Sequence, residues 1–274
     1  MKITIGIPVY ISYDLHLEFT EETIKSIRTE HEKDIVIIQN FCIPSLKSEL
    51  DSLAKRVGAR VVVNPKGNVL ASSWNYIIED GIANKSDYIL IPNNDLILHK
   101  DCVDNLIKFA EEHKEFSLWS AAEWKGNSYE ENRKAISTMM EGVEYTNLFD
   151  DHPHFSCFMV KNDFKDKLLK LEINSREPFP GLFDENFIPA YFEDGDMHQR
   201  LLRTKLGAGK TTSAIFYHYG SRTIKIDEDL DLRNRDTYDK NRSYFINKWN
   251  FDPHGSVISN DDAKRFSMKG PFEK

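Results

Sequence analysis

The stretch YILIPNNDLIL, residues 88–98, is apolar on both flanks and polar in its middle, and the fold turns on how that interruption is read. Tyr88–Ile91 has the β-branched and aliphatic density of a strand buried on both faces. Asn93, Asn94 and Asp95 then stand at the carboxyl end of that strand. Working outward, ITIGIPVY, DIVIIQN and ARVVVN are three further strands of the same character. Helical patterns separate them. FTEETIKSIRTEH takes Thr20 as N-cap, with Glu21 and Glu22 complementing the positive helix end. Pro44 and Ser45 open SLKSELDSLAKRVG, whose Leu46, Leu50, Leu53 and Val57 recur at helical spacing before Gly58, a C-cap glycine. LASSWNYIIEDGIA is a third helix, and KDCVDNLIKFAEEHKE a fourth that buries Val103, Leu106, Ile107 and Ala110. Strictly alternating strands and helices predict an α/β fold, an open and mostly parallel sheet flanked by helices on both faces.

Such sheets bind ligands beyond the carboxyl ends of their strands. Pro8–Tyr10, Gln39–Asn40, Asn64 and Asn93–Asp95 all fall at such ends. Asn and Asp also make ordinary turns there, but four ends of this kind on one rim point to a crevice. With 274 residues, 40% of them hydrophobic, the chain can bury a core without staples, and a net charge of −8 disfavours a broad nucleic-acid-tracking surface without excluding a nucleic-acid acceptor. The N-terminal segment has no signal-peptide pattern and no apolar run approaches membrane-spanning length, so a soluble, cytoplasmic protein is expected. Cys42, Cys102 and Cys157 form no C-x-x-C pair and read as small buried groups.

Neither a G-x-G-x-x-G after the first strand nor a P-loop is present, and LGAGKTT, residues 206–212, has the wrong spacing and reads as a helix end and turn. If phosphates bind, a divalent cation on Asp95 can neutralise them, since Mg²⁺ and Mn²⁺ favour one or two carboxylates plus phosphate oxygens. In the second half, FIPAYFEDGDMHQRLLRTKLG places Glu193, Asp194 and Asp196 at a helix start, more acid than a cap requires. DDHPHF, residues 150–155, reads as a turn. Residues 125–150 lack clean periodicity and read as a long loop, a lid candidate. YDKNRSYFINKWNF reads as a terminal helix docking Tyr244, Phe245 and Trp249, and the tail DAKRFSMKGPFEK as loosely held. Trp119, Trp124, Tyr191 and Phe192 are candidate stacking platforms for a ligand ring, although large aromatics fill cores more often.

The ordered series IGIPVY, IVIIQNFC, NPKGNVLASSWN, ILIPNNDLIL, GLFDENFIPAYFEDGDMHQRL, YHYGS and RSYFINKWNF resembles the family 2 glycosyltransferases with the GT-A fold over roughly the whole chain. The resemblance implies one GT-A-like domain: residues 1–100 a nucleotide-sugar-binding half, 101–225 an acceptor and catalytic half, and 226–274 a C-terminal helix and tail. It makes NND a variant of the Asp-x-Asp metal signature, with Asp95 retained as ligand to Mn²⁺ or Mg²⁺ and Asn94 near the donor's ribose or phosphates. Pro8, Val9 and Tyr10 would line the base, and Gln39, beside Asn40, would replace the family's uracil-contacting acid. Asn68 and Asn75 match its paired asparagines. His218 would approach the metal or diphosphate, and Ser221 and Arg222 could bind phosphate oxygens. Asp194 becomes the expected catalytic base of an inverting transfer from a nucleotide-diphosphate sugar, a UDP-sugar as first guess, to the hydroxyl of a glycan or other acceptor. Glu193 stays open as the alternative base. Tyr191, Phe192 and Trp119 would be acceptor-side. Two rival functions are an inactive sugar-nucleotide or glycan-binding module and, with an acidic YISYDLHLEFTEE against it, a nucleotidyltransferase.

Overall fold

The computed structural model describes residues 1–125, 133–172, 181–220 and 227–253. The chain runs β1 (Lys2–Ile11), α1 (Asp14–Ser26), β2 (Glu32–Cys42), a 3₁₀ turn (Pro44–Leu46), α2 (Lys47–Val57), β3 (Ala59–Val63), α3 (Leu70–Ala83), β4 (Tyr88–Pro92), β5 (Leu96–Leu98), α4 (Cys102–Glu112), β6 (Leu118–Glu123), α5 (Arg133–Glu141), β7 (Phe149–Asp150), β8 (Cys157–Lys161), α6 (Phe164–Glu172), α7 (Glu193–Thr204), β9 (Ala208–His218) and α8 (Glu228–Trp249). The strands form one sheet in the order β3-β2-β1-β4-β8-β6-β9-β5, with β7 added against β9. By pairing direction β1, β2, β3, β4, β6 and β9 run one way and β5, β7 and β8 the other, so the sheet is mostly parallel. Connections leave β1 toward β2 on one side and return to β4 on the other. The β1/β4 boundary is therefore a topological switch point, where adjacent loops diverge and open a crevice.

Alternation along the strands divides the core in two. Ile3, Ile5, Ile7, Ile35, Ile37 and Leu90 face one way, onto Ile24 of α1, Leu50 of α2 and Leu106 of α4. Val36, Ile38, Ile89 and Ile91 face the other, onto Trp74 and Ile77 of α3, Leu168 of α6 and Met197 and Leu201 of α7. Gly6 lets α3 approach the sheet closely: a Cβ there would lie 2.2 Å from Ile77.

The structure revises several local expectations. Thr20 is not an N-cap. Helix α1 begins at Asp14 and buries His16, Phe19, Thr20, Thr23 and Ile24, a complete apolar-face spacing that places Thr20 in mid-helix with its hydroxyl donated to His16 O at 2.8 Å. Glu21 accordingly leaves the first turn and pairs with Lys25 and Arg56. Gly58 does cap α2, at φ 68°. β4 stops at Pro92, and Leu96–Leu98 forms a separate strand antiparallel to β9. Residues 208–212 of the LGAGKTT stretch belong to β9. The region 125–150 is not simply a loop, because α5 buries Ile136 and Met140 against Ile97, Ala122 and Ile215. The terminal helix starts well before Tyr238 and does bury Phe245 and Trp249. Residues 126–132, Ser221, Arg222 and the tail from 254 lie outside the described residues. No described helix is long and apolar enough to cross a membrane.

Candidate active site

The parallel strands deliver their carboxyl ends to one crevice of about 390 Å³. On its first wall, β1 and β2 pair Val9 with Gln39 but Tyr10 with Phe41, so Asn40 is the extra residue of a β-bulge. A bulge re-aims a side chain. Here Asn40 lines the crevice with Pro8, Val9 and Tyr10, while Gln39, whose Oε1 is buried without a protein partner, is not on its wall. The place on the crevice wall expected for Gln39 is thus taken by its neighbour alone. Asn40 Oδ1 accepts from Asn64 Nδ2 at 2.8 Å and Ser73 Oγ at 2.5 Å, which leaves its amide N–H groups as the end free for the crevice. Asn64 is itself fixed by Ser72 Oγ and the Lys66 N–H, both at 3.0 Å from its Oδ1. Tyr10 stacks on half-exposed Phe41, centroids 4.7 Å apart. Asn68 also lines the crevice.

Where β4 ends, the Asn93 N–H donates to Ser156 O at 2.8 Å, and Asn94 Nδ2 donates to Thr20 Oγ1 at 3.3 Å. The mid-helix Thr20 thus braces the acidic turn. Pairing of Leu96 with His218 puts Asp95 beside the end of β9, and Asp95 Oδ1 lies 3.2 Å from His218 Nε2. A divalent ion of the Mg²⁺ or Mn²⁺ kind fits this pair: adjacent ligands of an octahedral ion at about 2.1 Å sit about 3 Å apart. A carboxylate and an imidazole with the remaining positions open suit an ion that substrate oxygens complete, and among the described residues no group of three or more His, Cys, Asp or Glu could hold one unaided. His154, which sequence reading assigned to a turn, also faces the crevice. Its Nδ1 accepts from the Ser156 N–H at 3.3 Å, its Nε2 lies 3.5 Å from Glu123, and burial, with His218 nearby, lowers its pKa.

The opposite wall is the segment before α7. Tyr191 and Phe192 hold φ of 77° and 76°, a conformation non-glycine residues rarely adopt. Asn241 of α8 restrains them, its Nδ2 donating to Ala190 O at 2.9 Å and Ile188 O at 3.2 Å and its Oδ1 accepting from the Ile188 N–H at 3.3 Å. This turn launches α7 with Glu193 and Asp194 on the crevice. Asp194 opens onto it and accepts from the Gly195 N–H at 2.7 Å. Asp194 is exposed to the crevice, and partial desolvation by the surrounding wall raises its pKa. Glu193 is 4% exposed, and burial, reinforced by Asp194, pushes its pKa well above its ordinary value. Asp196 turns inward to Lys248 Nζ and Trp249 Nε1, at 2.6 and 2.8 Å.

Four expected site residues are elsewhere. Trp119, 2% exposed, is a core residue whose indole donates to His113 O at 3.0 Å. Phe192 packs with Phe187, Phe245 and Trp249, because its positive φ turns the side chain inward, and of the acceptor-side residues only Tyr191 reaches the crevice. Trp124 packs in the cluster around α5. Asn75 pins the 181–187 segment, exchanging hydrogen bonds with Phe183 N and O at 2.7 and 2.9 Å and donating to Glu185 at 2.9 Å. Asn75→Ala should therefore lower stability by about 1–3 kcal/mol, measured by urea unfolding, since both Phe183 groups lose their partner. Besides Gln39, these are the departures from the expected site. Nothing described in residues 133–150 lines the crevice, whereas Leu230 and Asn234 of α8 do, a contribution that the polar first half of that helix did not advertise.

The described geometry has parallels. S. aureus TarS (residues 1–349) superposes with a TM-score of 0.52 at 10% identity, over 97% of this chain and 78% of that one. GalNAc-T7 with UDP, GalNAc and Mn²⁺ superposes with a TM-score of 0.54 at 12% identity, over 97% of this chain and 54% of that one, so the chain spans about half of that protein. At such identities these likenesses speak for the fold. No protein of curated function matches the sequence. The sequence model of glycosyl transferase family 2 matches residues 4–164, more than half of the chain and all of the sheet through β8. The mostly parallel α/β sheet is thus that of a GT-A glycosyltransferase, and the chain belongs to glycosyl transferase family 2.

Proposed function

We propose that this glycosyltransferase moves a sugar from a nucleotide-diphosphate donor to an acceptor hydroxyl with inversion, assisted by a divalent cation, with Asp194 as general base. The observation that carries the reading is that Asp194 opens onto the same crevice as the Asp95–His218 pair. The nucleotide would lie along Pro8, Val9, Tyr10 and Asn40, with its diphosphate toward Asn94 and Asp95. Asp95 and His218 would hold the ion, which when bound relieves the negative charge of the departing diphosphate. Asp194 accepts the acceptor's hydroxyl proton as that oxygen bonds to the anomeric carbon. The bond from that carbon to the diphosphate oxygen breaks, and the electron pair leaves with the nucleotide. Attack from the side opposite the leaving group inverts the centre. Tyr191, on the open edge of the crevice, offers an aromatic face to a glycan acceptor.

UDP is the first donor nucleotide to test, because the similar GalNAc-T7 and TarS structures contain it. A calorimetric screen of UDP, GDP, dTDP and CDP, each with and without Mn²⁺, is expected to give Mn²⁺-dependent binding of UDP above the others. Failure of all four to bind the folded protein would refute the donor site. Asp95→Ala should abolish the Mn²⁺-dependent part of that binding. The loss should exceed the roughly 10–100-fold that removing a group behind a metal ligand costs, and an unchanged Mn²⁺ requirement would remove Asp95 from the ion site.

A further inference from the structure

Pro153, His154, Phe155 and Ser156, in the loop between β7 and β8, border the crevice, but His152 just before them does not. Its ring meets that of His198 on α7 instead, centroids 6.0 Å apart and planes inclined at 65°. Neither histidine has a part in the reaction proposed above. One residue holds both: Asp151 Oδ1 lies 3.1 Å from His152 Nδ1, and the Asp151 carbonyl accepts a hydrogen bond from the His198 ring. The loop is pinned at the same point, where the His152 N–H donates to Asp150 Oδ1 at 2.9 Å and Pro153 fixes the next φ.

A histidine with one ring nitrogen bonded to a carboxylate or a backbone carbonyl keeps the lone pair of the other nitrogen for a metal. Metal-ligating imidazoles have this kind of outer partner, which fixes their tautomer and orientation. Here two such rings are neighbours. A Zn–N bond of about 2.0–2.1 Å puts the centre of a coordinated ring about 3.2 Å from the ion, so two rings on one ion have centres about 5–6 Å apart. The observed separation is within that reach. Burial, with His152 nearby, lowers the His198 pKa and so favours the neutral form that coordination requires.

We propose that His152 and His198 form a second cation site, for a borderline transition ion of the Zn²⁺ class, with Asp151 as their shared outer partner and water completing the coordination shell. Imidazole ligands suit Zn²⁺, whereas Mg²⁺ and Mn²⁺ prefer carboxylate, carbonyl and water oxygens. The site is thereby distinct in chemistry from the Asp95–His218 pair. Among the described residues no group of three or more His, Cys, Asp or Glu could hold a metal, so the ion is an exchangeable one rather than a closed structural centre. When bound it clamps the β7–β8 loop to α7, one helical turn beyond Asp194 on the same helix face. The site does not depend on the reading of the crevice, and a failed nucleotide screen leaves it standing.

The test is a titration of the full chain with Zn²⁺ against a chromophoric chelator, in excess Mg²⁺ and without nucleotide. The variants are His152→Ala, His198→Asn and, for the crevice pair, Asp95→Ala. The His152 side chain is 78% exposed, so its removal leaves folding intact, and an unchanged melting temperature checks this. Wild type is expected to bind one Zn²⁺ at this site. Losing only an outer partner of a metal ligand costs roughly 10–100-fold in affinity, and either histidine variant should lose at least about tenfold, while Asp95→Ala retains the wild-type value. Three results overturn the proposal: no Zn²⁺ bound by wild type, binding within twofold of wild type in either histidine variant, or loss in Asp95→Ala. The last would place the zinc on the Asp95–His218 pair.

Discussion

Asp194→Asn should reduce turnover by about 10²–10⁴-fold while leaving the affinity for donor nucleotide within a few-fold of wild type. The amide keeps the size and the Gly195 contact of the carboxylate but cannot take a proton. The pH profile carries the same signature. Partial desolvation in the crevice raises the Asp194 pKa, so as pH falls the proposed base is protonated at a higher pH than an ordinary Asp would be. Wild-type kcat should therefore show an acidic limb displaced upward, and the variant's residual rate should lack it. Glu193→Gln separates the two acids. Deeply buried and able to serve as a neutral hydrogen-bond donor, Glu193 should tolerate the amide far better than Asp194 does. Collapse of turnover in Glu193→Gln with near-normal Asp194→Asn would reverse the assignment.

The second large effect is on stability. Lys248 Nζ lies 2.6 Å from both Asp184 Oδ2 and Asp196 Oδ1, and the two carboxylate side chains are fully buried. Their environments differ: burial alone would raise both, but Lys248 together with the Asn186 N–H and the Tyr244 hydroxyl brings Asp184 below its usual pKa, whereas burial prevails at Asp196. Lys248→Met fills the same space and removes the cation. Two buried acids without a counter-charge should cost about 3–5 kcal/mol, a fall in melting temperature on the order of 10 °C for a chain of this size. The deficit should shrink in acid, where the orphaned carboxylates are protonated, and in the double variant Lys248→Met with Asp184→Asn. A melting temperature within a degree or two of wild type at neutral pH would mean that the cluster contributes little.

Much of this architecture was legible in the sequence because burial on both faces leaves a plain mark. The runs ending at Tyr10, Asn40 and Asp95 read as parallel strands, and their polar ends converge on the crevice as a parallel sheet requires. What escaped is what tertiary pairing decides. A one-residue bulge swaps Asn40 for Gln39 without altering the hydrophobic pattern. Thr20 fits an N-cap as well as a buried helical position by local chemistry, and only the sheet beneath α1 selects the latter. Trp119 and Phe192 have the composition of ligand platforms, but aromatics satisfy a core equally well. The helical pattern of α8 gave the buried Phe245 and Trp249, while nothing local marks Asn234 as lining the crevice or Asn241 as holding the turn before α7.

The position of α8 along the chain has a consequence for how the protein is made. It follows every described strand, yet it supplies a wall of the crevice through Leu230 and Asn234, the restraint on residues 188–191 through Asn241, and the cation for Asp184 and Asp196. Because chains emerge from the ribosome N-terminus first, every described strand leaves it before α8 does. Until Lys248 emerges, the two acids it neutralises have reason to stay in water, and the turn leading to Asp194 has no anchor. A nascent chain halted before residue 248 would thus lack both the anchor of the turn leading to Asp194 and the cation of the buried acids.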